Sequence, residues 1–208
     1  MSVSAYRQAR LEGQDVVRTA VLDAAKRLLV EDGPAALTVR SIAAAAGCST
    51  KVIYTLFGGK EGLGEALWTE GFARFERRLR GIPQHDDPLV VLRAGLEAYR
   101  DYALAEPEFY RVMFMGALPA YRPGPQAARA AKRTFDILVD GVRAGMEAGV
   151  LRGPGAGEIA DVLWMGIHGA VSLEISCYFE GDVAAQRYRL LCSSLLAPFL
   201  TIDERTTS

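Results

Sequence analysis

Leu37 to Leu63 reads LTVRSIAAAAGCSTKVIYTLFGGKEGL. The stretch spaces two short helices about Gly47 and begins a third after Gly58-Gly59. Thr38 stands at a cap position, Ser41 to Ala46 is rich in alanine, and Gly47 supplies the stop. Ser49 is expected to cap the next helix, which runs to about Phe57. A helix that short is marginal alone, so one face must be packed and the other presented. Val52 or Ile53, with Leu56 and Phe57, supplies the packed face. Thr50, Lys51, Tyr54 and Thr55 form the presented one, with the reach to enter a major groove. Two helices joined by a tight glycine turn make a helix-turn-helix. Lys60 opens the following helix against the macrodipole. That placement makes sense where helix terminus and lysine both meet a phosphate. Short alanine-rich helix pairs with a glycine turn also occur in many all-helical proteins.

Outside this stretch helical spacing dominates. Val17, Val21, Ala24, Ala25, Leu28 and Leu29 share one stripe of a first helix, with Asp15 as its N-cap and Gly33 as its stop. Further helices are expected from Lys60 to about Leu79, from Pro88 (capped by Asp87) to about Glu106, and from Pro107 over PEFYRVMFM. Others should run from about Gln126 to Ala148, Glu158 to Phe179, and Val183 to Leu200, before a frayed tail TIDERTTS. The expected fold is all-α with about nine helices.

The 208 residues suffice for one large domain or two small ones. Half are hydrophobic and 24% charged, a globular balance. No apolar run reaches membrane-spanning length, and the N-terminus lacks the apolar core of a secretory signal. Cys48, Cys177 and Cys192 are odd in number and widely spaced. They suggest neither a disulfide framework nor a zinc site, and fit a reducing cytoplasm. Net charge is −1, but residues 1–63 hold eight Lys and Arg against six Asp and Glu, or +2, leaving −3 for the remainder. That mild lean suits a nucleic-acid-binding front end. No nucleophile elbow, phosphate loop or metal-spaced cluster is present, so no cofactor, metal or catalysis is expected.

Residues 16–63 resemble the N-terminal domain of TetR-family transcriptional regulators. The match runs through the Thr of LTV, the IA...AG.S turn, the IY..F helix and the F..KE.L exit. The resemblance implies a three-helix DNA-binding domain over 1–63 and an antiparallel helical effector-binding and dimerisation domain over 64–208. It implies that Thr38 and Ser49 cap helices and bond phosphate, that Tyr54 packs on the DNA backbone, and that Lys60 binds phosphate. Thr50, Lys51 and Thr55 are the exposed recognition positions. Thr55 and Leu56 depart from the commonest form, which has a His and an aromatic there, and base preference stays open. Arg7 and Arg10 fit either a groove-reaching arm or a disordered leader.

The C-terminal W...HG of Trp164, His168 and Gly169, with YALAEPEFYRVMF, resembles the effector domain named for Trp-His-Gly in one TetR subfamily. Trp164 and His168, four residues apart, share a helical face. They can line an apolar pocket with Tyr99, Tyr102, Phe109, Met113, Phe114 and Phe135, or simply fill core. Gly169, Leu173, Leu191 and Leu195 on the last two helices are the expected homodimer surface. Gly166 is expected to let helices approach there. Together these imply a repressor released from a palindromic DNA operator by a small, largely apolar effector, with no membrane partner. Two rivals remain. One is a small helical enzyme using His168, for which no carboxylate or nucleophile is suitably spaced. The other is a helical interaction module, which leaves Lys60 and Tyr54 unexplained.

Overall fold

The computed structural model describes residues 3–118 and 121–201. Among them are nine α-helices: α1 Val3–Asp32, α2 Val39–Ala45, α3 Thr50–Phe57, α4 Lys60–Arg80, α5 Pro88–Ala105, α6 Pro107–Phe114, α7 Pro125–Glu147, α8 Ala156–Ile175 and α9 Gly181–Leu196. The all-α expectation holds. The extended pairing seen is one isolated bridge, Leu151 with Leu200. No helix among the described residues is long and apolar enough to cross a membrane.

Several boundaries differ from the sequence reading; α9, for one, ends at Leu196 rather than about Leu200. α1 begins at Val3, so Asp15 is an interior residue rather than a cap. Residues 3–14 contain no proline, and their Ala, Arg, Gln, Leu and Glu extend a helix once it is nucleated. Gln8 donates to Glu12 one turn on, at 3.0 Å. Arg7 is an exposed helical residue, while the side chain of Arg10 lies outside the described residues. Val17, assigned to the packed stripe, is 38% exposed. α8 stops at Ile175 because Cys177 turns left-handed, φ 61°. The Cys177 and Tyr178 amides then close back on the Glu174 and Leu173 carbonyls, both at 3.0 Å, a Schellman ending without its usual glycine. α9 starts at Gly181, two residues earlier than expected. Of the tail expected to fray, Thr201 is described and residues 202–208 lie outside.

The chain divides into two compact units, residues 1–72 with 108–128, and residues 73–107 with 129–208. In the first, Val21, Ala24, Ala25, Ile42 and Ile53 are wholly buried. Each large aliphatic among them stabilises the unit by roughly 1.5–3 kcal/mol. Arg18 ties α1 to the end of α3, donating to the Leu56 carbonyl at 3.3 Å and lying 4.7 Å from the Phe57 ring centre. A cation at a helix C-terminus complements the macrodipole. On α6, Phe109, Tyr110, Val112 and Met113 are buried, and Phe114 meets Phe72 edge-on at 5.4 Å.

In the second unit Ile159, Leu163, Ile167 and Val171 give α8 its buried face. Tyr188 of α9 is buried and donates to the Leu96 carbonyl of α5. Arg100 of α5 grips Glu174 of α8 with two hydrogen bonds, 2.8 and 2.6 Å. Both partners are largely withdrawn from solvent, and such a fork fixes register as well as adding energy.

Candidate DNA-facing surface and effector-domain cluster

Each end of the helix-turn-helix has a local cause. Thr38 Oγ1 accepts from the Ser41 amide, and Ser41 Oγ from the Thr38 amide, both at 3.1 Å. This capping box satisfies two donors at once. Gly47 takes φ 67° and α2 closes through Cys48 N to Ala43 O, 2.9 Å. Ser49 holds the N-cap position of α3, but its side chain makes no cap hydrogen bond. The Val52 amide is served by the Ser49 carbonyl instead, at 3.0 Å. Gly58 and Gly59 both have positive φ, 73° and 122°, which turns the chain into α4 within two residues.

The packed face of α3 is Ile53 and Phe57, with Val52 and Leu56 half-buried. Thr50, Lys51, Tyr54 and Thr55 are exposed, as are Thr38, Ser49 and Lys60. Tyr54 is 59% exposed despite its ring. Thr55 Oγ1 donates to the Lys51 carbonyl at 2.8 Å, so its hydroxyl is engaged within its own helix.

The side chains named as a pocket fall into two groups. Phe109, Met113 and Phe114 belong to the first unit, and Tyr99, Tyr102, Phe135, Trp164 and His168 to the second. In the second, the Tyr99 hydroxyl lies 3.1 Å from His168 Nδ1. Trp164 lies 5.6 Å from the His168 ring and 6.1 Å from Phe135. Phe75 stacks on Tyr102 at 4.9 Å and meets Tyr99 edge-on at 5.4 Å.

Burial holds His168 below its ordinary value, so the ring is neutral at pH 7 and pairs with a phenol rather than an anion. The unfolded chain therefore takes up this proton at higher pH than the folded one. The stability it contributes is present above about pH 6.5 and is lost as pH falls toward the depressed value. The melting-temperature advantage of wild type over His168→Gln is expected to shrink between pH 7 and pH 5. Melting curves at several pH values check this, and an advantage that grows on acidification would contradict it.

Of the proposed dimer residues, Gly169 is exposed, Leu173 is 44% exposed and Leu191 is half-buried. Leu195 is engaged within its own chain. A Cβ on Gly166 would stand 2.4 Å from Leu195 Cδ1, so Gly166 admits α9 of the same chain. The sequence reading also missed Arg18, Ser41, Glu65 and Gly62. Only Ser41, three residues after Thr38, carried a readable signal.

An exposed, glycine-punctuated helix-turn-helix among helical described residues is an arrangement that DNA-binding transcriptional regulators use. Residues 21–67 match the family described as bacterial regulatory proteins, tetR family. Residues 92–195, half of the chain, match the one described as tetracyclin repressor-like, C-terminal domain. The chain belongs to the TetR family. It is 21% identical to the HTH-type transcriptional regulator Rv1816 of Mycobacterium tuberculosis, over 84% of this chain and 87% of that protein. Its fold is similar to that of a protein of unknown function from Rhodococcus sp. RHA1, with TM-score 0.76 and 25% identity over 89% of this chain and 96% of that one. It is also similar to a TetR family transcription regulator from Marinobacter aquaeolei VT8, with TM-score 0.71 and 22% identity over 92% and 99%.

Proposed function

We propose that this regulator is a cytoplasmic, non-catalytic repressor that binds a palindromic operator as a homodimer and is released by a small, largely apolar effector. The observation that carries the reading is the exposed quartet Thr50, Lys51, Tyr54 and Thr55 on a helix whose other face is buried, with Lys60 exposed beside it. In this reading residues 1–63 contact DNA, and Thr38, Ser49, Tyr54 and Lys60 meet the backbone while Thr50 and Lys51 face the bases. Thr55, its hydroxyl engaged on Lys51, offers a methyl group instead. Residues 64–208 bind effector and dimerise. Support for an apolar effector is the Tyr99, Phe135, Trp164 and His168 cluster, in which the histidine is neutral. Trp164, His168 and Gly169 on α8 support the Trp-His-Gly type. The exposed apolar residues of α8 and α9 support the dimer.

A gel shift against the DNA upstream of its own coding region tests the reading. Lys60→Ala should weaken binding about evenly across sequences and reduce the magnitude of the log–log salt slope by roughly one unit per half-site. Unchanged affinity and slope, in a protein that still folds, would remove Lys60 from the interface.

A further inference from the structure

We propose that Glu65 is a positioning residue for DNA recognition. It fixes the start of α4, and with it Lys60 and the corner leading to α3, by gripping the first turn of α7. α7 begins at Pro125, which has no N–H, and is preceded by Gly124, which has no side chain to act as a cap. Its early amides need an acceptor from elsewhere. Glu65 of α4 supplies it: the Ala127 amide donates to Oε1 at 3.1 Å and the Gly124 amide to Oε2 at 3.2 Å. The Tyr121 hydroxyl donates to Oε2 as well. The carboxylate also meets the positive end of the helix dipole.

Two glycines on α4 support the grip. At Gly64 a Cβ would stand 3.1 Å from the Tyr121 ring, and at Gly71 another would stand 2.7 Å from Met113 Sδ. They are seven residues apart and so share a helical face. Met113, Tyr121, Gly124 and Ala127 therefore close onto α4 over two turns, within the unit that carries the helix-turn-helix. Glu65 follows Lys60 by five residues on one continuous helix, and the Leu63 amide bonds the Gly59 carbonyl at 3.0 Å. A helix held at Glu65 thus holds the Gly58-Gly59 corner and the Lys60 side chain.

The proposal rests on the reading of α3 and Lys60 as DNA-facing. The rival role for Glu65 is a mere helix cap, and one double variant separates the two. Gly124 tolerates a side chain, because the three atoms nearest its Cβ would all belong to the Glu65 carboxyl, at 3.5, 3.6 and 3.8 Å, ordinary contact distances. A serine there can cap α7 locally. The probe is the duplex that wild-type protein enriches from a random-sequence library, with a scrambled duplex alongside. Glu65→Ala should speed amide exchange at Ala127 and weaken the enriched duplex roughly a hundredfold, as one displaced contact in each half-site would, and weaken the scrambled duplex only by the smaller share that the Lys60 phosphate contact supplies. Glu65→Ala/Gly124→Ser should regain the exchange protection and the melting temperature but not the affinity. Glu65→Gln, which keeps an acceptor, replaces Glu65→Ala if that variant does not fold. Affinity that returns with the serine, or is never lost, overturns the proposal and leaves the DNA-facing reading standing. A wild-type protein that enriches no duplex overturns both.

Discussion

Gly62→Ala is expected to weaken specific DNA binding about a hundredfold and to destabilise the chain by about 1–3 kcal/mol, the usual range for forcing an extra carbon into a packed site. A Cβ there would stand 1.7 Å from the Phe57 carbonyl oxygen and 2.9 Å from its carbon. Those are backbone atoms at the last residue of α3, so no rotamer change relieves the clash and the α3–α4 corner must open. Tyr54 lies one turn before that corner and Lys60 just after it, so the corner sets their spacing. Losing one base or phosphate contact in each half-site costs on the order of a hundredfold in operator affinity. Gly13→Ala is the control: nothing lies within 4 Å of its Cβ, and alanine in a helix interior should stabilise by up to about 1 kcal/mol. Melting curves and gel shifts on the two variants decide the matter. Wild-type melting and binding in Gly62→Ala would mean that the corner is plastic.

The helix-turn-helix was legible because each of its decisions is local. Thr38 caps within three residues, Gly47 and Gly58-Gly59 turn where only glycine turns easily, and Ile53 and Phe57 sit one turn apart. Where local signals compete they misled. Asp15 has the chemistry of a cap, but cooperative extension carries α1 through it to Val3. Cys177 gives no sign that it will adopt φ 61°, which only the closing hydrogen bonds of α8 impose.

Long-range partnerships were not legible. Spacing places Trp164 and His168 on one face, and they do meet. It does not say which helix that face will find, so Tyr99, 69 residues away, emerges as the histidine's partner only in the fold. For the same reason the aromatics named together divide between two units. Glu65 looks like a solvated carboxylate until residues 56 to 62 positions away close on it.

Leu190→Glu is expected to convert the protein from dimer to monomer and to cost roughly 10²–10⁴ in operator affinity, the gain that linking two half-site contacts supplies. On α8, Val162, Met165, Gly169 and Leu173 follow one another at three- and four-residue steps and are all exposed; on α9, Val183 and Leu190 lie two turns apart at 51% and 65% exposure. Exposed apolar residues at helical spacing on α8 and on α9 are the kind of surface that a partner subunit would cover. Leu195, the more obvious choice from sequence, is the poorer probe. Its side chain rests on Gly166 of the same chain, so a charge there would loosen α8 from α9 before it reached any partner. Leu190 projects outward, and a surface substitution of this kind leaves monomer stability within about 0.5 kcal/mol. In a two-fold dimer every such change occurs twice, so two carboxylates would be buried without partners in an apolar seam, a cost that association cannot absorb. Sedimentation of Leu190→Glu beside wild type reads the outcome directly. A variant that still sediments as a dimer of undiminished strength places the interface on another face, and the half-site spacing must then be set by something other than α8 and α9.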